Sequence, residues 1–403
     1  MAPALRAATT NVQGDLNIVS TVADSPSTPG HPSLAYLQTL LRTMVQAGGT
    51  DLFISADFPP SMKVNGELQP LQSIKLQGEH TQQLAAALMD ARHRQDFEQE
   101  LEANFAIGLP GVARFRVNVF RQQRQVGMVI RTIPNEVPEI EALGLPDIFK
   151  TLSLASRGLV LLVGAAGSGK STSLAAMIHH RNRHTKSHIV TVEDPVEYVH
   201  SSISSLITHR EIGVDTHSWH HALKNALRQA PDVILIGEIR DTETMEQALS
   251  FAETGHLCMA TLHATSASRS FDRILNFFPE ERRQQILMDL SMNLNAIISQ
   301  RLVPQAQGRG RQAAIEILLN TPTMAEKIYR GDFHDIKAVM SKSHNVGMQT
   351  LDDAIFDLYE LGQISYTDAL RYADSENEMR LAIKLRSRRA PPAGSAISST
   401  ISL

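Results

Sequence analysis

Apolar positions along the chain change their period repeatedly, and each change marks a different kind of structure. Leu34, Leu37, Leu41, Met44 and Val45 recur at helical spacing until Gly48 and Gly49 interrupt them. "DLFISA" and "SMKVNGELQPL" then read as strands, with Asn65-Gly66 as a hairpin turn. A helical segment near 79–101 follows, and "VARFRVNVF" with "QVGMVIRTI" predicts a second antiparallel pair. From Gly158 the pattern becomes apolar strand followed by amphipathic helix, repeatedly. "GLVLLVG", "HIVTVE", "DVILIGE" and "LCMATL" are near-continuous apolar runs, as parallel strands covered on both faces require. Between them, "SWHHALKNALRQAP" lines up Trp219, Leu223, Ala226 and Leu227 and stops at Pro231. "DTETMEQALSFAETG" places Asp241 as N-cap, a stripe of Met245, Ala248, Leu249 and Ala252, and Gly255 at the C-cap. Beyond about residue 280 only helices are expected, the last stretch opening on Thr350 as N-cap and closing on Gly362.

This pattern predicts an α/β domain preceded by a smaller α+β domain and followed by a helical C-terminal region. The expected boundaries are an unstructured Ser/Thr/Pro/Ala-rich segment at 1–32, the first domain at 33–133 and a linker at 134–150 marked by Pro134, Pro138 and Pro146. The α/β domain then spans 151–385, and an unstructured tail 386–403.

Composition narrows the function. A net charge of −4 among 403 residues gives no electrostatic reason to expect nucleic acid as partner. One cysteine excludes an intramolecular disulfide and a multi-cysteine zinc site. No apolar run is long enough to span a bilayer, and the start lacks the basic and apolar regions of a signal peptide, so a cytoplasmic location is expected.

The chemistry is concentrated at strand ends. "GAAGSGKS", Gly164 to Ser171, fits G-x-x-x-x-G-K-[ST] between an apolar strand and a helix, the context in which that pattern cradles phosphate. Gly164, Gly167, Ser168 and Gly169 would turn backbone N–H groups inward, and Thr172, on the helix whose N-terminus faces the anion, and Glu193 are expected to contact the nucleotide as well. Lys170 would reach the β/γ-phosphates of ATP and Ser171 would ligate Mg²⁺. "DVILIGE" ends on Glu238, the place usual for the metal-side acid, and "TVEDPVEYVH" ends its run on Glu193 and Asp194 with Glu197 four residues on. Gly164, Glu193, Glu238 and His263 all follow apolar strands, so they should gather on one edge of the sheet. That convergence points to ATP hydrolysis.

"GAAGSGKSTSLAAMI", "TVEDPVEYVH", "PDVILIGEIRDTETM" and "ETGHLCMATLHA" resemble the Walker A, Asp box, Walker B and His box of the type II/IV secretion ATPases, and within them the type IV pilus retraction (PilT/PilU) group. The resemblance runs from about residue 33 to 385. It implies a PAS-like N-terminal domain, a RecA-like C-terminal domain and a homo-hexamer at the inner-membrane base of the pilus, bound peripherally through the pilus machine and its platform protein. Glu197 would act on water, Glu238 would be the Walker B acid and His263 would lie near the γ-phosphate. "RFRVNVFRQQRQVGMVIR" resembles the segment whose arginines reach a neighbour's ATP; Arg116 and Arg131 are the assigned pair, ahead of Arg114, Arg121 and Arg124. The lone cysteine favours retraction over assembly enzymes, which typically carry a tetracysteine zinc site. "AIEILLNTPTMAEKI", standing where PilT proteins carry an "AIRNLIRE"-like motif, is nearer to the accessory PilU branch, which would work with a second retraction ATPase.

Two rivals are a nucleotide-binding structural ring subunit and a RecA-like DNA motor. Lys170, Glu197 and Glu238 together argue against the first and the balanced charge against the second. His180 and His184 stand four apart on a helix, but no carboxylate or cysteine stands at ligand spacing to complete a metal site. His256 and His263 flank Cys258 yet lie about 23 Å apart on a strand and on opposite faces, so they share no metal. Cys258 is expected to be a buried thiol, His263 to meet nucleotide, and His256 to be structural.

Overall fold

The computed structural model describes residues 31–389 except 65–66, 134–135 and 308–309. The Asn65-Gly66 turn, Pro134, residues 1–30 and the tail beyond 389 therefore lie outside the described residues. The chain divides into two units, the division falling between Thr132 and Ile133.

The first unit contains α1 (His31–Gln46), β1 (Asp51–Ile54), β2 (Ser61–Val64), β3 (Glu67–Pro70), α2 (Gly78–Leu88), α3 (Ala91–Glu100), β4 (Glu102–Leu109), β5 (Ala113–Gln122) and β6 (Gln125–Ile133). Helix α1 takes in His31 and Pro32, two residues that the composition assigned to the unstructured segment. Proline is tolerated there because the first helical turn has no acceptor for its missing N–H. The strands form one sheet in the order β3-β2-β1-β6-β5-β4. Its core joins Leu37, Leu41 and Met44 of α1 to Leu52, Phe115, Val117 and Ile130 of the sheet. Strict alternation along β5 buries Phe115, Val117 and Val119 and leaves Arg114 and Arg116 on the other face.

The second unit opens with α4 (Ile148–Ser153) and continues β7 (Gly158–Val163), α5 (Lys170–His184), β8 (His188–Glu193), β9 (Leu206–Glu211), α6 (Trp219–Ala226), β10 (Val233–Ile239), α7 (Thr242–Glu253), β11 (Leu257–Leu262), α8 (Ala267–Leu275), α9 (Glu280–Asn293), β12 (Leu294–Pro304) and β13 (Arg311–Leu319). Helices α10 (Pro322–Arg330), α11 (Ile336–Ser341), α12 (Leu351–Glu360), α13 (Tyr366–Tyr372) and α14 (Glu376–Arg386) complete it. The stretch read as a linker is part of this packing, since Ile140, Leu145 and Phe149 are buried against the sheet core. The expectation of helices alone beyond residue 280 is corrected by β12 and β13. They are as apolar as the earlier strands, with Ile297, Ile298, Ile317 and Leu318 fully or almost fully buried.

These strands form a seven-stranded sheet in the order β13-β12-β7-β11-β10-β8-β9. All neighbours are parallel except β12 and β13. Alternation along each strand supplies two cores. Leu159, Leu161, Ile234, Ile236, Cys258 and Ala260 meet α6 to α9 on one face. Val160, Leu162, Val233, Leu235, Leu257 and Met259 meet α4 and α5 on the other. Cys258 is wholly buried and its thiol is pushed up by that burial, the state of an inert packing residue. Asp241 and Thr350 cap α7 and α12 by accepting from Thr244 N–H and Asp353 N–H.

Glu316 on β13 is 4% exposed and accepts the Ala267 N–H at the start of α8 at 2.8 Å. Burial pushes its carboxyl from 4.5 up to about 7, Asp374 adding to the rise while Ala267, Ser299 and Lys337 oppose it. An acid raised in the folded state favours the protonated form, so its contribution to stability is highest below about pH 4.5 and falls as pH rises towards 7. Glu316→Gln keeps an acceptor for Ala267 and removes the charge. Denaturant unfolding should therefore find the variant more stable than wild type at pH 8, by roughly 1–3 kcal/mol, with the gain gone at pH 4.5. No gain at pH 8 would contradict the raised carboxyl.

Candidate active site

Because β7, β11, β10 and β8 are adjacent and parallel, their carboxyl ends lie along one edge. That edge receives the Gly164–Ser171 loop after β7, His263 after β11, Glu238 near the end of β10 and Glu193 at the end of β8. The expected gathering of these four positions is what the sheet order produces.

The loop after β7 turns through backbone conformations that glycine tolerates. Gly164, Gly167 and Gly169 have φ of 150°, 72° and 89°. A side chain at Gly169 would also strike Gln300 Nε2, only 2.6 Å from where its Cβ would stand. Gln300 comes from β12, is 5% exposed, and accepts a 2.8 Å hydrogen bond from the Ser173 hydroxyl. Thus β12, a strand the pattern missed, braces both the loop and the helix that follows.

The loop's donors fit a polyphosphate. Helix α5 begins at Lys170 with no side chain capping its first N–H groups. Ser168 Oγ is buried without a hydrogen-bond partner among the described residues. Lys170 is 7% exposed, and its ammonium donates to the Gly164 and Ala165 carbonyls at 2.9 and 3.0 Å. Burial draws the Lys170 amine below its ordinary range, while the charges of Glu238 and Glu197 pull the other way. Both candidate catalytic carboxylates therefore act on the Lys170 ammonium.

Glu238 sits where β10 is irregular: its register to β11 shifts between Ile236 and Ile239. A bulge of this kind re-aims a side chain at a strand end. Gly237 permits it, since a Cβ there would lie 3.2 Å from the Glu193 backbone on β8. Glu238 Oε1 is 3.1 Å from His263 Nε2, and Oε2 accepts from Arg240 Nε at 2.8 Å. Glu238 and His263 are therefore direct neighbours. Arg240 was not singled out from the sequence, although residues i and i+2 share a face in extended chain.

Glu197 follows a cis peptide at Asp194-Pro195 and exposes its side chain, while its N–H donates to Glu193 Oε2 at 3.3 Å. The next residue, Tyr198, meets Thr172 through their hydroxyls at 3.0 Å. Thr172, expected to contact nucleotide, thus ties the phosphate helix to the Glu197 loop. Glu193, also expected to contact nucleotide, accepts a hydrogen bond from that loop's backbone.

His256 and His263 separate as their spacing requires. His256 Nδ1 lies 3.1 Å from the Thr254 hydroxyl at the end of α7, far from the ligand edge. No group of three or more metal-binding side chains occurs among the described residues. In the first unit Arg131 Nε donates to Asp51 Oδ1 at 2.7 Å, and its side chain is 63% exposed. Arg116 lies on the same face of β5 as Arg114.

Known proteins resemble this chain over most of its length. The chain is 53% identical over 350 residues to the type IV pilus ATPase PilU of Pseudomonas aeruginosa, covering 87% of this chain and 92% of that protein. It is 42% identical over 330 residues to the type IV pilus retractation ATPase PilT of the same organism, covering 82% and 96%. The crystal structure of the pilus retraction motor PilT with bound ADP superposes with a TM-score of 0.81 at 38% identity, over 86% of this chain and 99% of that one. The Type II/IV secretion system protein family model matches residues 40–380, and with most of its length so accounted for, the chain belongs to that family.

Proposed function

We propose that the chain is an ATP-hydrolysing motor of the type IV pilus that powers or assists pilus retraction, as the PilU-type accessory to a second, PilT-type ATPase. The observation that carries this reading is the convergence of the Lys170 loop, the Glu238–His263 pair and Glu197 on one sheet edge, in a chain 53% identical to PilU. In this reading the second unit is RecA-like and the first PAS-like. The subunits form a homo-hexamer at the cytoplasmic face of the inner membrane, docked on the pilus platform protein. No helix among the described residues is long and apolar enough to cross a membrane, so attachment is assigned to that docking.

ATP supplies the phosphoanhydride to be cleaved, and Mg²⁺ neutralises the charge that develops on its oxygens. The Gly164–Ser171 loop and the start of α5 bind the phosphates through N–H groups. Lys170 exchanges its two carbonyl partners for phosphate oxygens. Ser171 and Glu238 would hold Mg²⁺, and His263 would orient Glu238 while reading the end of the phosphate chain. Glu197 accepts the proton of the attacking water. Arg116 and Arg131 are assigned to the nucleotide of a neighbouring subunit, an arrangement that places part of each site in trans.

Steady-state ATP turnover of wild type, Glu238→Ala and Arg116→Ala, with retraction scored in cells carrying each variant, tests this. Glu238→Ala should lower turnover by at least ~10²-fold and Arg116→Ala by ~10-fold or more. Equal rates for Glu238→Ala and wild type would remove the enzyme reading in favour of a structural ring subunit. An unaffected Arg116→Ala would remove the arginine alone.

A further inference from the structure

Two acidic side chains stand together at the ends of β8 and β9, where the physical cost is high. Glu193 and Glu211 are register partners on adjacent parallel strands, so both project from the same face. Glu211 is 3% exposed, and the Glu193 side chain is 14% exposed. Burial pushes Glu193 up to about 7, with Glu197 and Glu211 adding their like charges. Burying neighbouring carboxylates costs stability unless they satisfy something that needs acceptors.

What they satisfy is the backbone of the Glu197 loop. Val196 N–H donates to Glu211 Oε2 at 3.2 Å, and Glu197 N–H donates to Glu193 Oε2 at 3.3 Å. Two consecutive donors are thus each held by one of the two carboxylates. The pair is itself braced. His209 Nε2 accepts the His200 N–H at 3.0 Å, which leaves the proton on Nδ1, 3.0 Å from the Thr191 hydroxyl. Thr191 in turn donates to Glu193. On the far side of Glu197, the Tyr198–Thr172 contact fixes the chain to α5 one residue past Ser171.

We infer that Glu211, paired with Glu193, is a positioning residue for hydrolysis: the two carboxylates grip consecutive N–H groups and set where Glu197 stands relative to the phosphate loop. This rests on the reading of Glu197 as the group acting on water. It assigns to Glu211 a role in turnover with no part in holding nucleotide.

The test uses the full chain with Glu211→Leu and Glu211→Gln. Turnover, affinity for a fluorescent ATP analogue and thermal midpoint are measured for each. Glu211→Leu should lower kcat by ~10–100-fold with analogue affinity within about threefold of wild type, and Glu211→Gln, which keeps an acceptor, should restore most of the kcat. Wild-type kcat in the Leu variant, parallel loss of analogue binding, or a Gln variant as impaired as Leu would each overturn the inference. Should Glu211→Leu fail to fold, amide hydrogen exchange on the wild-type chain decides: slow exchange at Val196 and Glu197 supports the grip, and exchange at the rate of an open turn overturns it. Glu197→Gln separates the two levels. If that variant turns over normally, the reading of Glu197 itself fails. If it is inactive while Glu211→Leu is normal, only the positioning role fails.

Discussion

Lys170→Ala should reduce ATP turnover by at least ~10³-fold while leaving the thermal midpoint within a few degrees of wild type. The two halves of that result have separate causes. The ammonium is nearly buried at the mouth of the phosphate loop, with Glu238 and Glu197 both acting on it. Once phosphate replaces the Gly164 and Ala165 carbonyls as its partner, it should pair directly with the terminal phosphates. No neighbouring lysine stands in the loop to substitute. The fold should survive because one of the two carbonyls left behind belongs to the exposed Ala165, and because α5 is anchored elsewhere. Arg181 at its far end donates to the Ser153 and Ala155 carbonyls at 2.9 and 2.8 Å, and Asn182 to the Ser201 carbonyl at 2.8 Å. Turnover equal to wild type would refute the phosphate assignment. A large fall in the midpoint would show instead that the Lys170 bonds stabilise the loop.

The parts of the site that were legible in the sequence are those set by local pattern. An apolar run followed by a polar residue marks a strand end, and in a parallel sheet all such ends share an edge. Gly164, Glu238 and His263 could therefore be placed together without knowing the strand order. β12 was lost because it starts directly where α9 stops, with no turn residue between Asn293 and Leu294, and because Gln300 and Arg301 interrupt its apolar run. β9 was lost because "LITHRE" is short and polar at an outer position in the sheet. Losing β9 hid Glu211, since its relation to Glu193 exists only through the register of those two strands. Gln300 was hidden likewise, its partner Ser173 lying 127 residues away. Contacts made across strands carry no local period, so a single sequence does not display them.

Glu197→Gln should lower single-turnover hydrolysis by ~10²–10⁴-fold, with affinity for an ATP analogue within a few-fold of wild type. The amide has the same shape and cannot take a proton from water. The loop that presents it should be unmoved, because the hold on residue 197 is through its backbone N–H to Glu193 and through the neighbours Val196 and Tyr198. The exposed Glu197 side chain makes it free to meet water at the site, whereas Glu238 is already committed to His263 and Arg240. That difference predicts different failures for the two carboxylates. Glu238→Ala should raise the Mg²⁺ concentration needed for half-maximal turnover as well as lower the rate. Glu197→Gln should leave the Mg²⁺ requirement unchanged and trap intact ATP on the protein, recoverable by acid quench. If Glu197→Gln instead shifted the Mg²⁺ requirement and hydrolysed what it bound at the normal rate, Glu197 would be a metal-side ligand and the general-base role would have to pass to another group.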